Sequence, residues 1–290
     1  MPRFVYNAPS TLDEVLALLT EHGDEGKVLA GGQSLIPLLA MRLAQPTQVV
    51  DINGVGGLDS IDSGGDTITF GATVRERQAE RSAVVRERLP LLAEALPFIG
   101  HAAIRTRGTV GGTVAHADAS AEIPCVVAAL EGEVLVRSTR GDRVIAAADF
   151  FQGHFTTAMD DDECLVELRI PAQDPGTGYA FREVARRHGD FALVGVATTM
   201  ALGPDGRIAD SRIALMGVAD VPYRARAAEA ALVGAEPTAE AFADAAQTAI
   251  AGLRPASDVH GSAAYRSHLA AVTVRRALTT AGARARGESA

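Results

Sequence analysis

The sequence predicts an α+β protein built from three successive units. Helical and strand patterns alternate over residues 1–174, whereas three strand patterns precede three helical patterns over residues 175–285. The composition is that of a soluble globular protein, with 47% hydrophobic and 22% charged residues in a chain of 290. We therefore predict an N-terminal α/β unit at 1–55, a second α/β unit at 56–174 and a C-terminal unit at 175–285.

The first unit begins with a helix that has clear end signals. The stretch TLDEVLALLTEHG has apolar residues at helical spacing, with Thr11 placed to cap its start and Gly23 to end it. KVLAGG predicts a short strand that ends in glycine. IPLLAMRLA restarts the helical spacing, with Pro37 suited to a first turn, and QVVDIN predicts a second buried strand. The predicted order is helix, strand, loop, helix and strand.

The second unit mixes strands with interrupted helices. TITFGATV predicts a strand, and residues 74–100 predict a helix in two pieces, broken by Pro90 and Pro97. IPCVVAALEG predicts a buried helix, and EVLVRS, DRVIAAADFF and CLVELRI predict three further strands. The unit ends in the turn-rich stretch PAQDPGTG.

The third unit has a different order. GYAFREVAR, ALVGVATTMAL and RIADSRIALMGVA are strand patterns separated by turn signals such as GPDGR, which predicts a three-stranded antiparallel sheet. Three Ala-rich helical patterns follow, at residues 223–234, 238–253 and 263–285. Strands followed by helices indicate a sheet covered by a helical layer.

Bulk charge and residue usage exclude several functions. The formal net charge of −9 argues against a nucleic-acid partner, which requires a basic surface. The sequence predicts no membrane span and no signal peptide, so we expect a cytoplasmic protein. Cys125 and Cys164 have no cysteine neighbours at cluster spacing, so we predict two buried thiols and no iron–sulfur cluster on this chain. No metal ligands and no catalytic nucleophile are predicted.

The loop AGGQSLIP lies between a predicted strand and a predicted helix. Backbone N–H groups at a helix start have no intrahelical partner, and the absence of Cβ atoms at Gly31 and Gly32 allows a ligand to approach the main chain. Gln33 and Ser34 add side-chain donors. These features suit a pyrophosphate. An ordinary strand-to-helix turn capped by Ser34 is the alternative, and this loop alone leaves both open.

The loop GTVGGTVAHADASAEIP has a second glycine pair. Thr109 and Thr113 flank Gly111 and Gly112. Polar groups then recur at nearly every second residue, at His116, Asp118, Ser120 and Glu122. An extended segment would present them on one face, where they would suit the hydroxyl-rich parts of a ligand. A tight turn, with the last three polar residues capping the next helix, is the alternative.

A third glycine-rich stretch, NGVGGLDS, is not a dinucleotide fingerprint. The G-x-G-x-x-G pattern begun at Gly54 requires glycine where Asp59 stands, and the following sequence predicts a turn and a strand rather than a helix. A phosphate-binding P-loop motif is absent from the sequence as well.

Together, AGGQSLIPLL and RTRGTVGGTVAHADASAE resemble the FAD-binding medium subunits of molybdenum hydroxylases. These include the carbon monoxide dehydrogenase medium chain and the flavin domain of xanthine dehydrogenase. The resemblance covers essentially the whole chain. It implies a vanillyl-alcohol-oxidase type fold, in which two α/β subdomains hold FAD and a third domain packs alongside.

The resemblance also implies a set of FAD-binding residues. The backbone of the first loop would hold the pyrophosphate, through Ala30, Gly31, Gly32, Gln33, Ser34, Leu35, Ile36 and Pro37. The second strand of the cradle would be lined by Thr109, Gly111, Gly112 and Thr113, and the set extends to His116, Asp118, Glu122 and Leu165. Asp190 and Leu193 would lie close to the flavin ring. Relatives often carry proline where Ala119 stands, and some carry Lys or Tyr at the position of Leu193.

The implied function is electron transfer within a complex. A large molybdopterin subunit would oxidise the substrate, a small subunit with 2Fe-2S clusters would relay electrons, and FAD on this chain would pass them to an external acceptor. The expected assembly is a dimer of heterotrimers. Two alternatives are a self-contained flavin oxidoreductase and a flavin-free assembly protein with the same fold.

Overall fold

The chain is organised around three main sheets, each covered by helices. The computed structural model describes residues 2–288. Across that range, every helix is too short or too polar to traverse a bilayer.

The first sheet is parallel. It consists of β1 (Val5–Asn7), β2 (Gly26–Leu29) and β3 (Gln48–Asp51) in the order β1-β3-β2, with α1 (Leu12–His22) and α2 (Leu35–Ala40) in its connections. The predicted order lacked β1. Three residues are too few to show a strand period, and only pairing with β3 defines this strand.

The predicted end signals of α1 are confirmed. The Thr11 hydroxyl accepts a hydrogen bond from the Glu14 N–H, and the Glu14 carboxylate accepts one from the Thr11 N–H at 3.2 Å, which forms a capping box. Gly23 follows the last residue with φ of +52°, a conformation that favours glycine.

The second sheet is antiparallel, with strand order β4-β5-β10-β6-β7, and a small hairpin stands beside it. The strands are β4 (Ile61–Gly64), β5 (Thr67–Gly71), β6 (Glu133–Ser138), β7 (Gly141–Ala146), β8 (Phe151–Gly153), β9 (Thr156–Thr157) and β10 (Cys164–Pro171). The hairpin pairs β8 with β9. The strand predicted over DRVIAAADFF ends at Ala146, because a short helix begins at Ala147.

Seven helices accompany the second sheet. They are α3 (Glu76–Arg81), α4 (Ala83–Arg88), α5 (Pro90–Ala95), α6 (Ala102–Arg105), α7 (Val110–His116), α8 (Glu122–Ala129) and α9 (Ala147–Phe150). The predicted break at Pro90 is confirmed, since α5 begins there. A further break separates α3 from α4 at Ser82, whose hydroxyl accepts the Val85 N–H and caps α4. A short 3-10 turn holds Pro97.

The third sheet is an antiparallel meander of β11 (Gly178–Val184), β12 (Val194–Leu202), β13 (Ile208–Met216) and β14 (Tyr223–Arg224). The three predicted strands are confirmed, and the two-residue strand β14 extends the sheet. The helical patterns form α10 (Arg226–Leu232), α11 (Ala239–Ile250) and α12 (Ala263–Ala285). Apolar residues of these helices and of the sheet form one buried core.

A larger core joins the first two sheets and reaches the third. Helix α8 is central to it, because all eight of its residues are buried. The Cys125 thiol lies 3.4 Å from the Ala214 carbonyl oxygen of β13, so α8 contacts the third sheet directly. Cys125 and Cys164 are both buried free thiols, which confirms that prediction.

Candidate functional site

A cleft of about 420 Å³ opens at the carboxyl edge of the parallel sheet. Its lining residues are Leu29, Ala30, Gly31, Gly32, Gln33, Ile36, Pro37, Asp51, Asn53 and Arg107. Six of these belong to the predicted pyrophosphate loop. Ser34 and Leu35 belong to the same loop but lie outside the lining.

The position of the cleft follows from strand pairing. Strands β2 and β3 run parallel, with Leu29 opposite Asp51, so the residues after both strands emerge at the same edge. Open α/β sheets bind ligands at this edge. The first glycine-rich loop therefore faces Asn53, which follows β3 two residues after Asp51.

The first loop presents unpaired backbone donors. Among the hydrogen bonds of residues 2–288, none uses the N–H groups of Gly32, Gln33 or Ser34. The Ile36 N–H turns back to the Gly32 carbonyl at 3.1 Å, and Gly32 has φ of +73°. The side chain of Ser34 makes no capping hydrogen bond. The loop is thus a row of donors at a helix start, a geometry suited to an anion.

The absence of a side chain at Gly31 serves packing within the protein. A Cβ on Gly31 would lie 2.5 Å from the Arg107 carbonyl oxygen and 2.8 Å from the Gly108 Cα. The second glycine-rich loop therefore presses directly against the first. We expected Gly31 to let a ligand approach, and the structure shows that the close neighbour is the other loop.

The second loop is helical rather than extended. Thr109 caps α7, its hydroxyl accepting the Gly112 N–H at 3.0 Å. A Cβ on Gly111 would lie 2.7 Å from the Ala72 Cα, and one on Gly112 would lie 3.6 Å from the Ala30 Cβ. The predicted extended strand of the cradle is therefore wrong for this segment. Its small residues let a helix pack closely between the second sheet and the first loop.

The polar residues after α7 do not share one extended face. His116 is the last residue of α7, and Ala117 takes the left-handed conformation with φ of +52°. The Asp118 carboxylate accepts the Ser120 N–H at 2.8 Å, which closes a local turn. Helix α8 has Ala121 at its cap position without a side-chain hydrogen bond, so capping by Asp118, Ser120 or Glu122 is not observed.

A chain of hydrogen bonds links the two loops across the cleft. Asn53 donates to the Ala30 carbonyl at 2.8 Å, and Arg75 donates to the Asn53 side-chain oxygen at 2.6 Å. Arg75 also donates to the Arg107 carbonyl at 2.6 Å. The link runs from one glycine-rich loop to the other and fixes the two sides of the cleft relative to each other.

Three carboxyl groups with raised pKa values occupy the region behind the second loop. Glu76 is buried, and one of its oxygens accepts the Thr113 hydroxyl at 2.6 Å. Burial raises the pKa of Glu76 to about 7. Burial, together with the charge of Glu183, raises the pKa of Glu122 to about 8, and burial raises the pKa of Glu183 to about 7. The second Glu76 oxygen and one Glu183 oxygen have no partner among the described residues.

The remaining predicted residues lie outside the cleft lining. Leu165 is a buried residue of β10, and Leu193 is buried just before β12. The buried Arg266 guanidinium donates to the Leu193 carbonyl at 2.7 Å. The Asp190 carboxylate pairs with Arg186 and Arg187 on its own loop. The His116 ring stacks on Phe155 with a centroid separation of 4.7 Å.

Sequence reasoning missed Asp51, Asn53, Arg75 and Arg107. Asn53 had a usable signal, because it ends the predicted strand QVVDIN, the next strand in the chain after the one that precedes AGGQSLIP. Arg75 carried no such signal. Its role depends on two acceptors that are distant in sequence, one backbone carbonyl and one side-chain oxygen.

Comparison with known proteins gives consistent matches along the chain. Residues 2–173 match the family described as FAD binding domain in molybdopterin dehydrogenase, and residues 179–281 match CO dehydrogenase flavoprotein C-terminal domain. One relative is the 6-hydroxypseudooxynicotine dehydrogenase complex subunit alpha of Paenarthrobacter nicotinovorans, 40% identical over 98% of this chain and 96% of its own. Another is the carbon monoxide dehydrogenase medium chain of Hydrogenophaga pseudoflava, 39% identical over 98% of each chain.

A solved structure is equally close. Carbon monoxide dehydrogenase from Hydrogenophaga pseudoflava, in a form that lacks the Mo-pyranopterin moiety, contains a chain with a TM-score of 0.95 and 42% identity over 98% of both chains. The predicted fold is confirmed: a vanillyl-alcohol-oxidase type FAD-binding fold followed by an antiparallel sheet with helices. The chain belongs to the family of FAD-binding subunits of molybdenum hydroxylases, a family of oxidoreductases.

Proposed function

We propose that this chain is the FAD-carrying electron-transfer subunit of a heterotrimeric molybdenum hydroxylase. It would take electrons from 2Fe-2S clusters of a small partner subunit and pass them to an external acceptor, while a large molybdopterin subunit oxidises the substrate. The observation that carries this proposal is the row of unpaired N–H groups at Gly32, Gln33 and Ser34, beside a cleft of about 420 Å³. The relatives described as a complex subunit and a medium chain support the multisubunit assembly.

The cleft fits the pyrophosphate of FAD. Backbone donors at a helix start bind phosphate oxygens without requiring a basic protein, which is compatible with the net charge of −9. Arg107 lines the same cleft and adds a positive charge. We assign pyrophosphate binding to the whole first loop, Ala30, Gly31, Gly32, Gln33, Ser34, Leu35, Ile36 and Pro37.

The second loop would support the first and extend the site. Gly112 packs on Ala30, and the Thr113 hydroxyl donates to Glu76, so this segment packs against the first loop. From the resemblance, we assign Thr109, Gly111, Gly112, Thr113, His116, Asp118, Glu122, Leu165 and Leu193 to the remainder of the FAD site. The flavin supplies two-electron redox chemistry when bound. The residues of this chain bind it, orient it and limit its exposure to water.

Several further assignments accompany this function. We propose that two heterotrimers form a dimer, that the complex is cytoplasmic, and that residues 1–55, 56–174 and 175–285 form three domains. The parallel sheet, the antiparallel sheet with α3–α9, and the meander with α10–α12 support that division.

The test is cofactor content in a matched pair of variants. Purified with its partners, the wild-type chain should release FAD on denaturation. Gly32→Asp adds a carboxylate to the loop that presents the unpaired N–H groups and should lower FAD affinity at least about 100-fold, because one unfavourable charge in such a site costs several kcal/mol. Gly57→Asp is the control, because Gly57 shares the positive φ, at +82°, and no atom lies within 4 Å of a Cβ placed there.

The outcomes separate the alternatives. Wild-type FAD affinity in Gly32→Asp would contradict the assignment of this loop. Absence of flavin from the intact complex, with no binding on titration, would support a flavin-free assembly protein. Substrate oxidation by this chain without partners would support a self-contained flavin oxidoreductase.

A further inference from the structure

A second cavity lies on the C-terminal domain, between α12, α11 and strand β11. Its volume is about 480 Å³, and it is lined by Arg182, Ala239, Arg275, Arg276, Thr279 and Thr280. We call these residues the arginine groove. Three of its six lining residues are arginines, a concentration of positive charge that contrasts with the net charge of −9 for the chain.

The helical spacing places four of these residues on one side of α12. Arg275 and Thr279 are four residues apart, as are Arg276 and Thr280, so the two pairs form adjacent stripes. Arg182 reaches the same place from β11, where its guanidinium donates to the Thr280 hydroxyl oxygen at 3.0 Å. The Thr280 O–H therefore stays available to donate to a ligand.

The positive charges of the groove are poorly neutralised within the chain. Arg182 lies 3.9 Å from Glu94, which also pairs with Arg284 at 2.7 Å. Over residues 2–288, no carboxylate lies within 4.0 Å of the Arg275 or Arg276 guanidinium. The guanidinium groups of Arg275 and Arg276 carry like charges and repel each other. A multiply charged anion bound between them would offset this repulsion.

Helix α11 adds backbone donors at the same place. Ala239 is the first residue of this 12-residue helix, so its N–H has no intrahelical acceptor. The Thr238 hydroxyl is already used as acceptor for the Ala241 N–H. The positive end of the helix dipole thus points toward the groove that the arginines line.

We propose that the arginine groove binds a phosphate-bearing small molecule, at a site separate from the glycine-rich cleft. Guanidinium forks match the oxygens of phosphate in pairs, while the Thr280 hydroxyl and the α11 N-terminus supply the remaining donors. The ligand could be inorganic phosphate itself or the phosphate group of a nucleotide. The volume of the groove accommodates either one.

The experiment is calorimetric titration of the FAD-loaded full-length chain at low ionic strength, with inorganic phosphate and with AMP as probes. FAD occupies the glycine-rich cleft, so the probe does not bind in that cleft. We expect binding at one site per chain. The double variant Arg275→Ala/Arg276→Ala should weaken it at least tenfold, since each lost charged hydrogen bond reduces affinity by about that factor.

Controls fix the interpretation. Arg3→Ala/Arg81→Ala removes the same two positive charges from exposed residues outside the groove and should leave binding unchanged. Arg275→Lys/Arg276→Lys keeps the charge and should restore part of the affinity. Tighter binding of AMP than of phosphate identifies the nucleotide as the better ligand, and equal binding identifies phosphate alone. Absence of binding by both probes, or equal affinity in the double alanine variant and the wild type, would overturn the proposal.

Discussion

Arg75 donates to the side-chain oxygen of Asn53 at 2.6 Å, and this contact joins the two glycine-rich loops. Asn53 holds the Ala30 carbonyl on one side, and Arg75 holds the Arg107 carbonyl on the other. The cleft between the loops therefore depends on one side-chain bridge as well as on backbone packing.

Arg75→Ala should weaken FAD binding about tenfold without unfolding the chain. The variant loses two hydrogen bonds that fix the loops. FAD binding must then order the loops, which lowers the affinity. FAD affinity measured by fluorescence quenching checks this. Arg81→Ala changes an exposed arginine at the end of α3 and serves as the control. An unchanged affinity in Arg75→Ala would show that backbone packing alone sets the cleft.

Gly31→Ala should destabilise the flavin-free chain. The new methyl group would lie 2.5 Å from the Arg107 carbonyl oxygen, and such overpacking costs about 1–3 kcal/mol. Denaturant unfolding measures the change in the free energy of unfolding. Gly56→Ala should change it by less than about 0.5 kcal/mol, because its surroundings are open. Equal effects in both variants would contradict the explanation that contact between the loops requires glycine at position 31.

The free energy of unfolding of the flavin-free chain should fall as pH rises from 5 to 8. Burial raises the pKa of Glu76 and Glu183 to about 7 and that of Glu122 to about 8, above the ordinary 4.5. A carboxyl whose pKa is raised in the folded state stabilises the fold fully below pH 4.5, its ordinary pKa. This contribution is lost as the pH rises through the folded-state pKa. The slope is at most about 1.4 kcal/mol per pH unit for each group.

Glu122→Gln should make that fall less steep, because glutamine does not titrate. Unfolding free energies at pH 5, 6, 7 and 8 measure the slope for the variant and the wild type. Glu21→Gln, an exposed change on α1, should keep the wild-type slope. If the slope of Glu122→Gln matches the wild type, Glu122 is not among the groups that titrate on unfolding.

Arg266→Ala should destabilise the C-terminal domain by about 2–4 kcal/mol. The buried guanidinium donates to the Leu193 carbonyl at 2.7 Å, and its loss leaves that acceptor unsatisfied. Arg266→Lys should recover part of the loss through a single donor. Thermal unfolding provides the measurement, with the exposed Arg254→Ala as control. A wild-type melting temperature in Arg266→Ala would contradict this role for Arg266.

The sequence alone determined the α+β class and the helices and strands of regular length, and it marked the first loop as either an anion cradle or an ordinary strand-to-helix turn. These properties depend on local periodicity, on capping residues such as Thr11, and on glycines next to a helix start, and all of these can be read from neighbouring residues. The resemblance supplied FAD as the cofactor, which the family match bears out.

Only the tertiary structure decided how the two glycine-rich loops are used. The polar run from His116 to Glu122 left an extended segment and a tight turn as alternatives, and the structure shows the end of α7 followed by a turn. The glycines of α7 pack on Ala72 and Ala30. Arg75 and Asn53 became partners through contacts 22 residues apart in sequence. A sequence pattern records which residues prefer a local conformation. It does not record which distant backbone atoms fill the space that a missing Cβ leaves.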